Sequence, residues 1–342
     1  MTLTNLTEAE EYILYSTCPP SKDFSGSDYL PRVREVAEWS EQFGCRGILV
    51  YTDNRLADPW VVSREVLDAT EQLEPLVAVQ PVYMHPFSVA KMISTIGTLY
   101  NRRIALNMVA GGFKKDLEAL GDHTPHDDRY VRLQEYTQIL KGLLEGEEPV
   151  SIEGKYYEVD QLSLSPSLPE DLYPDILLSG SSDAGLETSR QLNAVAIQYP
   201  QPSGEYETGH SEPRAPGIRV GIIARPSAEE AWRIANERFP GDREGQLAHK
   251  LAMKTSDSQW HQTLSEMAED LEGAQSVYWL HPFENYKTFC PYLVGSYDQV
   301  ADELRRYMDA GFQRYILDIP REEDDLRHTQ EVFNHATMEV AE

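Results

Sequence analysis

Cysteine is sparse. Cys18, Cys45 and Cys290 are the three in 342 residues, an odd number at wide spacings with no C-x-x-C pair. That argues against a disulfide framework and against a thiol-held zinc or redox motif, and it suits a reducing cytoplasm. No apolar run approaches the roughly 18 residues of a transmembrane helix. The polar, acidic start, Met1 to Glu11, has neither the basic n-region nor the apolar h-region of a secretory signal. Positive charge is also short: 30 Lys and Arg against 57 Asp and Glu leave a formal net charge of −27, with lysine the scarcer of the two cations. Such a surface repels nucleic acid and anionic lipid, so neither is an expected partner. A salt-rich cytoplasm and plain composition bias explain the acidity equally well. Three motifs are missing as well. Without G-x-S-x-G there is no serine-hydrolase elbow. Without G-x-x-x-x-G-K-[ST] there is no P-loop, and without G-x-G-x-x-G after the first strand there is no dinucleotide fingerprint.

What the chain does have is alternation. Short apolar runs, Tyr12–Ser16, Gly47–Thr52, Leu76–Gln80, Ile104–Val109, Asp175–Leu178, Ala194–Gln198, Ile218–Ala224 and Arg314–Ile319, read as strands. Amphipathic runs separate them: Asp28–Phe43, Trp60–Gln72, Phe87–Tyr100, Arg129–Leu144, Ser182–Leu192, Ala228–Phe239 and Tyr297–Ala310, with an eighth near Asp324–Val340. Nearly continuous apolarity is expected of strands covered on both faces. Eight strand–helix units predict an α/β fold, a (β/α)₈ TIM barrel, in one domain over residues 1–342. Ser227 with Glu230 reads as a capping box, and Gly311 suits a helix C-terminus. Two insertions are expected at the C-terminal face. Residues 150–174 carry a hairpin around Glu153-Gly154, and residues 240–294, helical near Gln259–Leu271, have the length of a lid.

Several residue groups bear on chemistry. Gly180-Ser181-Ser182-Asp183 follows a strand and opens a helix, which offers an anion small residues, hydroxyl donors and a positive helix end. Ser182 alone also serves as an ordinary N-cap. His126 and Tyr130, four apart at the next helix start, share a face and can both donate to an anion. Asp122, His123 and His126 match no metal-ligand spacing, and no metal is expected. Asn107 points into the barrel if Leu106 and Met108 face the helices. Arg219, inward on the seventh strand, needs an anion, either substrate or a barrel carboxylate. His85 and Cys18 lie at the catalytic end of strands, as a candidate acid or base and a candidate thiol.

Together, Arg103-Ile-Ala-Leu-Asn-Met-Val-Ala-Gly, Asp128-Arg-Tyr-Val-Arg-Leu-Gln-Glu-Tyr-Thr-Gln, Gly180-Ser-Ser-Asp-Ala, Gly217-Ile-Arg-Val-Gly-Ile-Ile-Ala-Arg and Leu293-Val-Gly-Ser with Val300-Ala-Asp resemble the bacterial-luciferase-like flavin monooxygenases, in particular their alkanesulfonate branch. The resemblance implies a (β/α)₈ barrel that takes reduced FMN from a separate flavin reductase and uses O₂, through a C4a-peroxyflavin, to oxidise a small organic substrate. It places Ser181, Ser182 and Gly180 at the phosphate, with His126 and Tyr130 assisting and Asn107 near the isoalloxazine. It also implies a homo-oligomer. Substrate-side features depart from the branch. Gly221 stands for a histidine, Leu56 for a cysteine and Ile319 for a tyrosine, and within Asn285–Leu293 no gripping arginine is recognisable, Lys287 being the nearest cation. An alkanesulfonate is therefore not expected; a specialised-metabolism substrate, free or held by a carrier protein, is. A deazaflavin-dependent oxidoreductase and a non-catalytic flavin-binding partner protein are the alternatives.

Overall fold

A computed structural model describes residues 11–209, 214–253, 264–265 and 276–338. Its strands are β1 (Ile13–Thr17), β2 (Gly47–Val50), β3 (Glu74–Val79), β4 (Ala105–Val109), β5 (Val150–Glu153), β6 (Glu158–Leu162), β7 (Ile176–Ser179), β8 (Val195–Gln198), β9 (Gly217–Arg225), β10 (Tyr278–Trp279), β11 (Tyr292–Ser296) and β12 (Arg314–Leu317). The helices are α1 (Gly26–Gln42), α2 (Pro59–Ala69), α3 (Pro86–Tyr100), α4 (Lys114–Ala119), α5 (His126–Glu145), α6 (Asp183–Leu192), α7 (Ala228–Arg238), α8 (Arg243–Met253), α9 (His281–Glu284), α10 (Tyr297–Asp309) and α11 (Glu323–Thr337).

Eight parallel strands, β1-β2-β3-β4-β7-β8-β9-β12, close on themselves through β12–β1 and β8–β9 pairing. The expected (β/α)₈ barrel is thus the observed one, and each apolar run read from the sequence supplies one of its strands. Local chemistry starts and ends the helices at the right places. Asp58 and His85 cap α2 and α3, each of which has proline at its first position. Asn101, Asn193 and Gly146 end α3, α6 and α5 with positive φ.

Side-chain parity divides the strands into an inner and an outer set. Tyr15, Leu49, Leu76, Ala105, Leu177, Val195, Ile197 and Ile316 pack together without any helix residue, and so fill the barrel interior. Residues one position along, such as Leu106, Met108 and Ile218, pack under the helices. The N-terminal end of the barrel is closed by ion pairs, with Asp175 between Arg214 and Arg314, and Glu74 near Arg103. The C-terminal end is where the loops gather.

Two details differ from expectation. At Ser227 only half of a capping box forms, since the Ser227 side chain accepts from Glu230 N; the complete box is Ser296 with Gln299. Residues 150–174 do form the hairpin, β5 against β6. The 240–294 insertion does not stay irregular to its end: β11 runs parallel to the second half of β9, with Tyr292 opposite Gly221. Strand β9 is long enough to serve both the barrel and this extension. Of the expected helix at Gln259–Leu271, only residues 264–265 fall among the described residues. No helix among the described residues is long and apolar enough to cross a membrane.

Candidate active site

The C-terminal mouth brings five of the sequence-predicted residues to one place. Strand β7 ends at Ser179, and the chain turns through Gly180 and Ser181 into α6. Ser182 is the N-cap, its hydroxyl accepting from Gly185 N at 3.2 Å. It also donates to the Tyr130 hydroxyl, which α5 holds against Gly180. That approach is close enough to require glycine, because a Cβ at position 180 would sit 2.6 Å from the Tyr130 oxygen. His126 stands one turn before Tyr130, with ring centroids 5.3 Å apart. Because Ser182 takes the Gly185 amide, the first-turn amides of Asp183 and Ala184 remain at the mouth of this turn. Burial pushes the Tyr130 pKa up, so its hydroxyl stays a neutral donor.

Leu106 and Met108 do face the helices, and Asn107 points inward as expected, buried. Its side-chain oxygen accepts from Ser179 at 2.7 Å, which ties it to the residue next to Gly180. The loop before α5 is built by Asp122, which binds Arg132 at 2.8 Å and Thr124. Burial alone would raise the Asp122 pKa, but those hydrogen bonds outweigh it and hold the carboxyl at about 2. His123 is exposed beside it. Among the described residues no three His, Cys, Asp or Glu side chains converge as metal ligands would.

Arg219 points inward from β9. Both partners foreseen for it need weighing, and one is present: Asp318, just past β12, lies 3.8 Å away. Tyr199 accepts from the guanidinium, and Tyr51 lies beneath it at 5.9 Å. Burial lowers the Arg219 pKa, but Tyr199, Cys290 and Asp318 raise it by more, so the cation is retained. Its Nε is buried without a partner. Cys18 follows the last residue of β1 and lines a small cavity with Tyr29, Tyr51 and Leu56. Burial pushes its thiol up to about 12, against a hydrogen bond from Tyr29, so the group is a neutral thiol at physiological pH and not a thiolate. His85 is exposed and its Nδ1 accepts from Phe87 N at 3.2 Å, capping α3. Sequence reasoning missed Tyr51, Tyr199 and Asp318. Each lies two residues beyond an interior residue, Leu49, Ile197 and Ile316, and strand parity could have found them.

The cradle fits a phosphate-bearing ligand on its donor chemistry: hydroxyls, imidazole, helix-end amides and a glycine where backbone must come close. Known proteins resemble this chain over most of its length. The profile of the luciferase-like monooxygenases matches residues 12–314. The 4-(gamma-L-glutamylamino)butanoyl-[BtrI acyl-carrier protein] monooxygenase BtrO of Niallia circulans is 37% identical over 327 residues, covering 93% of this chain and 95% of that protein. Among solved structures, EDTA monooxygenase from Chelativorans sp. BNC1 matches with a TM-score of 0.70 at 15% identity, over 95% of this chain and 93% of that one. DmoA from Hyphomicrobium sulfonivorans matches with a TM-score of 0.72 at 16% identity, over 94% and 86%. At such identities the structural likeness speaks for the fold.

Proposed function

Because the chain belongs to the luciferase-like monooxygenase family, we propose that it is a monooxygenase that binds reduced FMN at the α6 cradle and uses O₂ to oxidise an acyl substrate held on a carrier protein. The observation that carries the flavin part is the convergence of His126, Tyr130, Gly180, Ser181 and Ser182 at one helix N-terminus, beside inward Asn107. The carrier-bound substrate is suggested by the activity of the Niallia circulans relative.

When bound, reduced FMN supplies the electrons that activate O₂. The chain's own residues bind and orient. Ser181, Ser182, Tyr130 and His126 hold the phosphate, and Asn107 offers its amide to the flavin ring. Arg219 presents an N–H to an oxygen of the substrate. Cys18, Tyr29 and Tyr51 wall the acyl side, with Cys18 a neutral lining group, and His85 caps α3 at the rim. The 240–294 insertion, of which residues 254–263 and 266–275 lie outside the described residues, is the proposed lid that excludes water. A separate reductase, a homo-oligomeric state and a reducing cytoplasm, suited to three buried free cysteines, belong to the same proposal.

The test supplies reduced FMN and ¹⁸O₂ to the chain with butanoyl-carrier protein and, separately, free butyrate. One ¹⁸O atom in the carrier-bound product supports the reading. Oxidation of free butyrate alone removes the carrier. Hydride transfer with a deazaflavin and no ¹⁸O incorporation replaces the oxygenase with the other oxidoreductase. Flavin binding with no product at all leaves a flavin-binding partner protein.

A further inference from the structure

The carboxylate nearest Arg219 is positioned from outside the barrel. Asp318 accepts two hydroxyl hydrogen bonds on the same oxygen, Oδ2: Thr288 Oγ1 at 2.8 Å and Tyr292 Oη at 2.7 Å. Both donors belong to the segment that leads from the insertion back to β11. Arg219 reaches only the other oxygen, and only to 3.8 Å, which is too long for a hydrogen bond. A free carboxylate beside a buried guanidinium would close to about 2.8 Å, in a two-pronged pair. Here the carboxylate is held off, and Arg219 Nε stays buried and unpartnered.

Sequence provides for this arrangement at one position. Gly221 lies opposite Tyr292 across the β9–β11 ladder, and a Cβ at 221 would collide with the Tyr292 ring. Glycine admits the ring, and the ring brings its hydroxyl to Asp318.

We propose that Asp318 is a positioning residue for Arg219: Thr288 and Tyr292 restrain it so that the guanidinium keeps its unpaired N–H for a carbonyl or carboxylate oxygen of the acyl substrate. This rests on the reading that Arg219 faces substrate. If the 288–292 segment lifts, Asp318 loses both hydroxyls and closes on Arg219, withdrawing it from the ligand. The state of this segment is thereby coupled to substrate affinity.

The test measures binding of butanoyl-N-acetylcysteamine, a small acyl thioester, to the full chain by calorimetry, with circular dichroism confirming that each variant folds. Arg219→Gln is expected to weaken binding about tenfold or more, as loss of a charge-assisted hydrogen bond does. Combined Thr288→Val and Tyr292→Phe should weaken it by a similar factor although neither hydroxyl touches the ligand. Adding Asp318→Asn to that pair should recover most of the loss, because a neutral amide does not capture the guanidinium; a purely structural role for Asp318 predicts further loss instead. Should the paired variant fail to fold, Tyr292→Phe with and without Asp318→Asn makes the same comparison. Wild-type affinity in the hydroxyl variants, with Arg219→Gln weak, overturns the positioning role and leaves the substrate reading intact. Unchanged affinity in Arg219→Gln overturns the substrate reading itself.

Discussion

Replacing Tyr130 with phenylalanine removes one oxygen from the anion cradle and leaves the ring packing in place. In the folded chain that hydroxyl accepts from Ser182 and keeps its own proton, since burial raises its pKa. Its proton is therefore available to a phosphate oxygen. A hydrogen bond to a charged group contributes about 1.5–3 kcal/mol, and a neutral one such as Ser182–Tyr130 about 1 kcal/mol. The first figure corresponds to roughly 10–150-fold in FMN affinity, and the second appears as about 1 kcal/mol of folding stability. The assay is a fluorescence titration with FMN and, in parallel, with riboflavin, which lacks the phosphate. Tyr130→Phe should weaken FMN by that factor and leave riboflavin nearly unchanged, so that the difference isolates the phosphate contact. Equal losses for the two ligands, or no loss for either, would refute the placement of the phosphate at α6.

Gly180→Ala puts a methyl 2.6 Å from the Tyr130 oxygen; overpacking of this kind costs about 1–3 kcal/mol, and chemical denaturation should show it together with a selective loss of FMN over riboflavin. Asp122 has a folded pKa of about 2 against an ordinary 3.8, so its stabilisation, on the order of 2 kcal/mol, is complete above pH 4 and fades as pH falls toward 2. Urea unfolding of Asp122→Asn should lie below wild type at pH 7, and the gap should narrow steadily as pH falls from 4 toward 2, whereas a gap constant across that range contradicts the Arg132 and Thr124 pairing. Cys18, with its thiol pushed up to about 12, should react with Ellman's reagent at pH 8 only on unfolding; rapid labelling of the native chain at that position would show an accessible thiolate. Leu177→Ala empties an interior site that is fully buried and should cost about 2–5 kcal/mol, read from the same urea curves.

The cradle was legible in the sequence for a reason particular to it. Gly180, Ser181 and Ser182 are consecutive, and His126 and Tyr130 are one helical turn apart, so each half is a local pattern. Their meeting is not local: it depends on α5 crossing the end of β7, which the chain order alone does not state. The substrate side was harder. Arg219 stood out as an inward charge, but Asp318, Tyr51 and Tyr199 come from three other strands, and Thr288 and Tyr292 from a stretch read as loop. Gly221 looked in sequence like a missing side chain. In the structure it is the space that Tyr292 occupies.

By itself the sequence determined the barrel, because strand and helix periodicities, caps and proline positions act over a few residues and repeat eight times. It also determined which residues face inward, since alternation along a strand leaves little choice once one residue is placed. Only the tertiary structure decided which inward groups meet, that Cys18 is a buried neutral thiol, that His85 is committed to a helix cap, and that Arg219 is kept 3.8 Å from its carboxylate. Those outcomes depend on distances between segments far apart in the chain, where burial and hydrogen bonding set the chemistry of each group.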